Sequence, residues 1–550
     1  MKKKMLLALV LAGAFCLAGC GGDTGNNGSE PNFKRPPGTQ IVIYAGGSSE
    51  FSWTKGSEED EVIEAVEQKY YEDTGKSLDF QVSYLGQDMK QRLASEIAGG
   101  TQVDVAISHT RGGDGIDDWM MQQRAYLDLS DYLDALAPNL KAAIDKSTIE
   151  GAVSTPLDSM TTYTDEVIGI PSVINPYKFG ILVRKDWMEA CGYTDDPAMA
   201  ETEFEAGKNY ILVDNLETFK EMCLAINKYT GNAYTVTGAS WDWEKVLFTG
   251  AYSNAGYFTE ALFDVDGTPT IMAGVASDEY FDILNTEYEW VQAGVTNRDG
   301  QETSIENGES KFIGGRTGVF IQDPTIEHLI RIARLTKQEN PEAEFTVFGA
   351  LPAEKSGTKK GFMRNMEATF AACILNTSPN AAAIMSFLNW VYSSEENYNL
   401  CRYGVEGVHW IDNGDGTYSY PEGKAYDMYP AYSGILTLVE NQNMSDLVYK
   451  GYTEEELRWL NDVAGNPENY LENEVVDYLF VLTDEDRSAK SNSLSKIWGT
   501  VNGTWKGSVT PNENQWATDV AAYRSSMAGV HTKYTSQFNI MKAKRTAEQE

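Results

Sequence analysis

The chain has 550 residues and is strongly acidic, with 44 Lys and Arg against 81 Asp and Glu and a formal net charge of −37 at pH 7. This charge disfavours partners that are themselves densely negative, so nucleic acid and anionic lipid surfaces are not expected to bind. The length fits three to four average domains or two large lobes.

The first residues have the order of an export signal. A basic stretch, Lys2 to Lys4, precedes an apolar run from Met5 to Leu17, which is shorter than the roughly 20 residues that a membrane-spanning helix needs. Leu-Ala-Gly-Cys20 ends the run and resembles a bacterial lipobox, which implies removal of residues 1–19 as a signal peptide and acylation of Cys20. We therefore expect lipid anchoring on the outer face of the cytoplasmic membrane. An ordinary secretory signal with an incidental cysteine is the alternative.

Residues 20–38 are predicted to hold the lipidated cysteine and a flexible linker. From position 21 onward they are rich in Gly, Asn, Ser and Pro and contain almost nothing apolar. Such a composition cannot bury a core, and it leaves the folded body free to move on its anchor.

Four cysteines of the folded body stand alone rather than in CxxC pairs, which argues against metal ligation. They fall within apolar helix or strand patterns, so buried free thiols are favoured over the disulfides that an exported protein could form. They are Cys191, Cys223, Cys373 and Cys401.

The folded body opens with strands that alternate with helices. Strands are predicted at Ile41–Tyr44, Phe80–Tyr84 and Val103–Ile107, with a helix ending at Gly75 after the first and a helix at Met89–Ile97 after the second. This alternation predicts an α/β fold with a parallel sheet. Later elements are predicted at Leu216–Tyr229, 285–295, Thr317–Ile321, Phe345–Leu351 and Ala381–Tyr392, and roughly the last 60 residues are expected to be mostly helical.

Ligands of parallel sheets bind beyond the carboxyl ends of the strands, where glycine-rich loops are common. This rule selects Ser48, Ser49 and Trp53 after the first strand, and His109 and Arg111 after the third, as candidate ligand-binding residues.

Short motifs recur along the chain in a characteristic order. They are Ser95–Val105, Ala125–Tyr132, Gly169–Pro171 followed by Val183–Asp186, Phe312–Val319, Phe387–Glu395 and Tyr403–Gly407. Together they resemble the family-1 extracellular solute-binding proteins of ABC importers, of which maltose-binding protein is a relative. The segment ending in His409-Trp410 and the chain length resemble the larger oligosaccharide-type lipoproteins of that family, although Gln102 stands where the family usually has proline.

The resemblance implies a two-lobed, periplasmic-binding-protein-like fold in which each lobe is a mostly parallel sheet flanked by helices. Three crossings between the lobes are expected near Pro171–Tyr177, Met363–Met366 and Val408–Trp410, and such lobes close on a ligand by hinge bending. The expected N-terminal lobe comprises residues 39–172 and 366–408, the C-terminal lobe residues 176–363 and 410–541, and a polar tail residues 542–550.

By the same resemblance the chain is a binding protein and not an enzyme. It would need no cofactor or metal, and it would hand a carbohydrate, expected to be an oligosaccharide, to transmembrane permease subunits driven by an ATPase. Carbohydrate capture needs aromatic faces for the C–H surfaces of sugar rings and planar polar side chains for the hydroxyls, set in a concave pocket.

The candidate aromatic platforms lie beside a glycine, a crossing or a predicted loop. They are Trp53, Tyr177, Trp241, Trp243 and Trp410, with Asp242 between two of the indoles. For each ring, packing in the core is the alternative. The candidate polar partners are His109, Arg111, Gln322, Asp323, Arg364 and Asn365. For the arginines the alternative is an ion pair between lobe loops; if both face the cleft, bidentate pairing would favour an acidic sugar.

The rival hypothesis is a surface lipoprotein that degrades glycans. With 81 acidic residues some pair must lie at glycosidase spacing, so such pairs prove nothing. A calcium-like run at Asp412–Thr417 has Gly414 and Gly416 where an EF-hand loop needs oxygen ligands, so a hairpin turn is predicted there.

Overall fold

The computed structural model describes residues 35–46, 55–85, 89–109, 124–148, 152, 154–173, 175–238, 243–257, 259–297, 305–353, 361–364, 370–424 and 441–549. The predicted signal, Cys20 and most of the linker lie outside these ranges. Within them, no helix is long and apolar enough to cross a membrane.

The strands of the described residues are β1 Thr39–Gly46, β2 Leu78–Leu85, β3 Val105–His109, β4 Ile170–Pro171, β5 Ile181–Arg184, β6 Tyr193–Thr194, β7 Glu203–Glu205, β8 Lys208–Asn209, β9 Ile211–Leu212, β10 Glu260–Val265, β11 Thr268–Ala273, β12 Val319–Phe320, β13 Phe345–Phe348, β14 Phe362–Arg364, β15 Phe370–Ile374, β16 Ile411–Asp412, β17 Thr417–Ser419, β18 Val448–Tyr449 and β19 Tyr470–Glu472.

The helices are α1 Glu59–Thr74, α2 Met89–Gly99, α3 Ser130–Leu136, α4 Pro138–Lys146, α5 Lys185–Ala190, α6 Pro197–Ala200, α7 Leu216–Thr230, α8 Thr249–Tyr252, α9 Tyr280–Ala293, α10 Ile305–Ile313, α11 Ile326–Glu339, α12 Ala381–Val391, α13 Glu395–Tyr403, α14 Glu454–Arg458, α15 Asp484–Trp505 and α16 Glu513–Gln549. A 3₁₀ turn lies at Pro156–Met160, and a π-helix, Glu244–Phe248, directly precedes α8.

The first lobe is built on one five-stranded sheet of order β2-β1-β3-β15-β4. β1 pairs in parallel with β2 and β3, as the alternating pattern predicts, whereas β15 is antiparallel to β3 and to β4. Ile41, Ile43 and Ala45 of β1 are fully buried beneath α1, α12 and their neighbours. The carboxyl ends of β1, β2 and β3 therefore meet at one edge, which is where the rule for parallel sheets places a ligand.

Asp104, in the first of the family-like motifs, ties three elements of this lobe together. Its buried carboxylate accepts hydrogen bonds from the Val42 backbone N–H at 2.9 Å, from Gln102 at 2.8 Å and from Asn380 at 3.1 Å. A carboxylate with several donors is stable when buried. Gln102, which replaces the family's usual proline, thus contributes a donor to the same network.

The second lobe differs from the mostly parallel sheet that the resemblance implies. Its central sheet has the order β12-β5-β13, and both outer strands are antiparallel to β5. The outer strands are parallel to each other because α11 connects them as a β–α–β unit. β5 enters directly from the first crossing and inserts between them, which makes the pairing antiparallel.

The chain passes from one lobe to the other between strands of the two sheets. The chain leaves β4 of the first lobe and enters β5 of the second through residues 172–180, and it returns between β14 and β15. The third passage lies later than the predicted Val408–Trp410. Asn441 still packs in the first lobe, where its backbone N–H bonds to Tyr398 at 3.2 Å, whereas Glu456 forms an ion pair with Arg334 of the second lobe at 2.6 Å. β18, which lies between these two residues, forms a small separate sheet with the earlier strands β16 and β17.

The predicted hairpin turn after Asp412 is confirmed, since β16 and β17 pair antiparallel on either side of it. The mostly helical C-terminal region is also confirmed as α15 and α16. The residues set apart as a polar tail are the last turns of α16, which continues to Gln549. There Lys544 pairs with Asp165 of the first lobe at 2.6 Å and Arg545 pairs with buried Asp158. The end of α16 therefore links the two lobes.

The four cysteines of the folded body are free, as predicted, and form no disulfide with one another. Three of them, Cys223, Cys373 and Cys401, are fully buried, and Cys191 is half-buried. Burial raises the pKa of each of these thiols, which keeps them uncharged within the apolar cores.

Candidate ligand-binding cleft

Several of the predicted ligand residues lie outside the described ranges: Ser48, Ser49, Trp53, Arg111, Trp241, Asp242 and Asn365. The backbone positions of two others are defined. His109 is the last residue of β3, opposite Phe370 of β15, and Arg364 is the last residue of β14. Both therefore stand at strand ends next to a passage between the lobes.

Two predicted platforms, Trp243 and Trp410, are core residues in the structure. Trp243 is 0% exposed and donates its indole N–H to the Thr237 carbonyl at 3.0 Å. Trp410 is 4% exposed and donates to the Gly404 carbonyl at 2.9 Å. Each indole is thus satisfied by a backbone acceptor, and core packing, the alternative considered for these rings, accounts for both.

The structure brings Tyr177 and Asp323 to the same place, the second-lobe side of the first crossing. The segments after them run side by side, because the Ile326 N–H donates to the Lys178 carbonyl at 2.7 Å and the Gly180 N–H to the Pro324 carbonyl at 3.0 Å. We call the surface formed by Tyr177, Lys178, Phe179, Lys245, Asp323, Glu327 and His328 the crossing wall.

Gln322 neighbours the crossing wall but is directed into the lobe. Its side chain is 2% exposed, and a Cβ atom added to Gly308 of α10 would lie 1.4 Å from Gln322 Oε1. The amide therefore packs directly on the α10 backbone. The absence of a side chain at Gly308 is what makes room for it.

Asp323 is held in a strained backbone conformation by an ion-pair network. Its φ of 40° lies in the left-handed region, which is unusual for a non-glycine residue. His328 contacts the Asp323 carbonyl oxygen through Nδ1 at 2.9 Å and the carboxylate at 3.3 Å. Its Nε2 lies 2.8 Å from Oε1 of Glu309, which also pairs with Arg331. His328 therefore fixes Asp323 from inside the lobe.

The charges of this network reinforce one another. Burial alone would lower the pKa of His328, but its bonds to Asp323 and Glu309 raise the pKa to about 9. Burial alone would raise the pKa of Asp323, but the His328 hydrogen bond and the charges of His328, Lys245 and Lys178 lower it. At neutral pH the imidazole is protonated and the carboxylate is ionised.

We expect His328→Gln to destabilise the protein in a pH-dependent way. Because the folded-state pKa is raised above the ordinary value near 6.5, the stabilisation is complete below pH 6.5 and is lost as the pH rises through about 9. The shift corresponds to a loss of about 3 kcal/mol at pH 6 and much less at pH 9.5, measured by urea unfolding.

The same substitution at His531, His531→Gln, is the matched control. Burial lowers the pKa of His531 to about 4, whereas the pKa of His328 is raised. The ionisation of His531 therefore contributes to the pH dependence only below about pH 6.5, where the folded state resists protonation. An equal loss of stability for His328→Gln at pH 6 and pH 9.5 would contradict the ion-pair network.

Lysine side chains flank the aromatic centre of the crossing wall. Lys178 Nζ lies 5.6 Å and Lys245 Nζ 5.3 Å from the centroid of the Phe179 ring, within the range of cation–π contacts. The Phe179 backbone N–H donates to the Tyr470 hydroxyl at 2.9 Å, and the Tyr470 ring lies edge-on to Tyr177 at 5.1 Å. Aromatic faces and cationic groups thus alternate along the wall.

Glu327 adds a second carboxyl to the crossing wall. Its side chain is exposed, yet desolvation by the surrounding residues raises its pKa, with the charges of Lys178 and Arg402 opposing that effect and Asp323 adding to it. The crossing wall therefore carries two carboxyls, those of Asp323 and Glu327, beside its lysines.

A cluster of aromatic rings lies beside the crossing wall and continues toward the third passage. Arg402, whose charge acts on Glu327, lies over the Tyr403 ring at 5.9 Å. Neighbouring rings then lie 4.9 to 5.8 Å apart. The members of this tyrosine cluster are Tyr403, Trp410, Tyr418, Tyr420, Tyr449 and Tyr452. The tyrosines are half-buried, so they present both ring faces and hydroxyls near the cleft.

Sequence reasoning missed most of the crossing wall and of the tyrosine cluster. Lys178 and Phe179 directly follow the selected Tyr177, and Tyr418 and Tyr420 alternate along β17 beside the predicted hairpin. Both patterns are visible in the sequence and could have identified these residues as candidates. Lys245 lies beside Phe179 only because the π-helix packs against the first crossing. No local sequence pattern predicts that packing.

Comparison with known proteins gives consistent results. The family described as bacterial extracellular solute-binding protein matches residues 54–398. The polygalacturonan/rhamnogalacturonan-binding protein YtcQ of Bacillus subtilis is 21% identical over 367 residues, which cover 63% of this chain and 65% of the relative. The chain thus spans slightly less than two thirds of the length of that curated relative.

Solved structures resemble the chain over more than nine tenths of its length. The N-glycan transport protein NgtS of Streptococcus pneumoniae has a TM-score of 0.62 at 15% identity, with 91% of this chain and 99% of that one covered. The alginate-binding protein AlgQ2 has a TM-score of 0.65 at 13% identity, with 91% and 98% covered. An extracellular solute-binding protein of Bifidobacterium longum subsp. infantis has 0.60 at 13%, with 92% and 99% covered. At these identities the likeness establishes the two-lobed fold.

Proposed function

Because this chain belongs to the bacterial extracellular solute-binding proteins, we propose that it is the lipid-anchored binding component of an ABC importer. In this role it captures an oligosaccharide between its two lobes and delivers it to the membrane permease and its ATPase. Acylated Cys20 is the anchor, and the linker behind it lets the folded body reach both the solvent and the permease.

The observation that carries the proposal is the crossing wall, with its aromatic and charged side chains, and its continuation into the tyrosine cluster. Sugar rings need aromatic faces for their C–H surfaces and charged or planar groups for their hydroxyls. Tyr177 and Phe179 supply the faces, and Asp323 and Glu327 supply acceptors. The names of the similar proteins, which bind polygalacturonan, N-glycans or alginate, support a saccharide ligand.

The mechanism is hinge closure about three passages between the lobes. Ligand first binds one lobe, and the other lobe then closes on it. The ligand shifts the equilibrium only through contacts that the open form lacks. The ion pairs between the end of α16 and the first lobe are a further link between the lobes.

A glycan-degrading enzyme remains the alternative because of one observation. Asp323 and Glu327 lie on the same wall, and their pKa values are shifted in opposite directions, that of Asp323 downward and that of Glu327 upward. A glycosidase uses one carboxylate and one protonated carboxyl, but Asp323 is already engaged by His328 from inside the lobe. Membership of a family of binding proteins favours capture without cleavage.

The test is a thermal-unfolding screen of residues 21–550 against neutral and acidic oligosaccharides, with chromatography of each glycan afterwards. A ligand at a hundred times its dissociation constant adds about 2.7 kcal/mol of stability, which raises the unfolding temperature measurably. A reproducible increase with the glycan recovered intact supports capture. Cleaved products would establish the enzyme instead, and no shift with any glycan would overturn the carbohydrate proposal.

A further inference from the structure

The crossing wall concentrates positive charge in a chain that is otherwise strongly acidic. Acidic residues outnumber basic ones by 81 to 44 over the whole chain. Among the described residues on and beside the wall the balance is reversed, because basic groups outnumber acidic ones there. The basic groups are Lys178, Lys245, protonated His328, Arg331 and Arg402, and the acidic groups are Glu309, Asp323 and Glu327.

Lys245 is one of the accessible cations of the wall. Its side chain is exposed, and within the described ranges no carboxylate oxygen lies within 4 Å of its Nζ. It reaches across the Phe179 ring from the π-helix, while Lys178 reaches the same ring from the crossing itself. Two ammonium groups from different elements thus converge on one aromatic ring.

The acids of the wall do not cancel the charge of Lys245. Asp323 is engaged by His328 from inside the lobe, through contacts at 2.9 and 3.3 Å. Glu327 lies within the field of Arg402. Each acid therefore already has a cationic neighbour other than Lys245.

The large overall negative charge does not prevent an anion from binding here. At physiological ionic strength the screening length is about 8 Å, so distant surface carboxylates act weakly on a ligand in the cleft. Charges in direct contact with the ligand are screened far less. The local cations therefore decide which ligand is bound.

We propose that, within the carbohydrate-capture function on which this inference rests, the ligand is an anionic oligosaccharide that carries carboxylates, as uronates do. A carboxylate lies between Lys178 and Lys245, and the C–H face of the same sugar ring lies on Phe179. Lysines act as point charges for an anion, and the ring between them fixes the orientation of the sugar.

The test is calorimetric titration with tetragalacturonate and with its fully methyl-esterified counterpart, which has the same backbone without the charge. The acid is expected to bind at least ten-fold more tightly than the ester at 0.1 M salt, and the preference is expected to shrink at high salt. Lys245→Gln should weaken binding of the acid about ten-fold and leave binding of the ester nearly unchanged, and Lys245→Arg should restore most of it.

Lys208→Gln is the matched control, because this exposed lysine of β8 pairs only with nearby Glu205, at 3.3 Å. It should change neither affinity. Equal or tighter binding of the ester would overturn the anionic ligand while leaving carbohydrate capture intact. Failure of the acid, the ester and the wider glycan panel alike would overturn carbohydrate capture and this inference with it.

Discussion

Gly250→Ala is expected to prevent the second lobe from folding stably, with a loss of more than 4 kcal/mol or no soluble protein at all. A Cβ atom on Gly250 of α8 would lie 1.4 Å from the carbonyl oxygen of Gly361, just before β14. A Cβ on Gly361 would in turn lie 2.7 Å from the Leu471 backbone nitrogen of β19. Three backbones are in contact here, and backbone cannot yield as a flexible side chain can, so the effect exceeds that of ordinary substitutions.

Gly499→Ala is the control for this substitution. Gly499 lies in α15, and nothing is within 4 Å of the position that its Cβ would occupy. Alanine there should increase stability by about 0.5 to 1 kcal/mol, because glycine is a poor helix former. Urea unfolding of both variants distinguishes the cases. A Gly250→Ala variant within 1 kcal/mol of the parent protein would show that α8 and β14 do not pack as described.

Glu287→Gln is expected to increase stability at neutral and alkaline pH. Glu287 of α9 is 1% exposed, and no hydrogen-bond donor among the described residues reaches either carboxylate oxygen in good geometry. Burial raises its pKa well above the usual value, neighbouring Glu244 raises it further, and the Trp505 indole opposes this only in part. Burial likewise raises the pKa of Glu244 to about 7, against the opposing bonds from Tyr280 and Tyr257. Glu287 and Glu244 therefore hold their protons more tightly in the folded core than exposed carboxyls do.

The stability of the protein depends on pH here because Glu287 holds its proton more tightly in the folded chain than in the unfolded chain. Because the folded-state pKa is raised, the unfolded chain releases its proton first, and stability falls by about 1.4 kcal/mol per pH unit between pH 4.5 and the folded-state pKa. Glutamine stays neutral, so the advantage of Glu287→Gln should grow steadily as the pH rises toward the folded-state pKa of Glu287.

Glu289→Gln serves as the matched control for Glu287→Gln. Glu289 lies on the same helix, and its half-exposed side chain pairs with Lys220 at 3.7 Å. The unfolding free energy of the Glu289→Gln variant should change with pH in parallel with that of the parent protein. Parallel curves for Glu287→Gln as well would refute the buried proton.

Much of the fold could be predicted because its signals are local. Gly75 and Gly294 end α1 and α9 with φ of 70° and 81°, a conformation that glycine adopts without strain. The apolar runs likewise give β1 and β2 their positions. The antiparallel insertion of β5 and the late third passage depend on contacts between distant segments, which leave no periodicity in the sequence.

The candidate site was harder to predict for the same reason. The sequence around Trp243 suggests an exposed loop, but its indole is buried in the core by packing from other elements. Asp323 could be selected because it follows a strand. Its partner His328 and its neighbour Lys245 could not, because the hydrogen bonds and charges that join them arise only in the folded lobe.

The central claim is that the two lobes close on a saccharide, and small-angle X-ray scattering of residues 21–550 tests it most directly. Scattering should be recorded without ligand and with a saturating oligosaccharide identified by the thermal screen. Closure of the lobes should give a smaller radius of gyration in the complex, and the change should reverse when the intact glycan is removed. An unchanged radius in a sample that calorimetry shows to be saturated would contradict capture by closure.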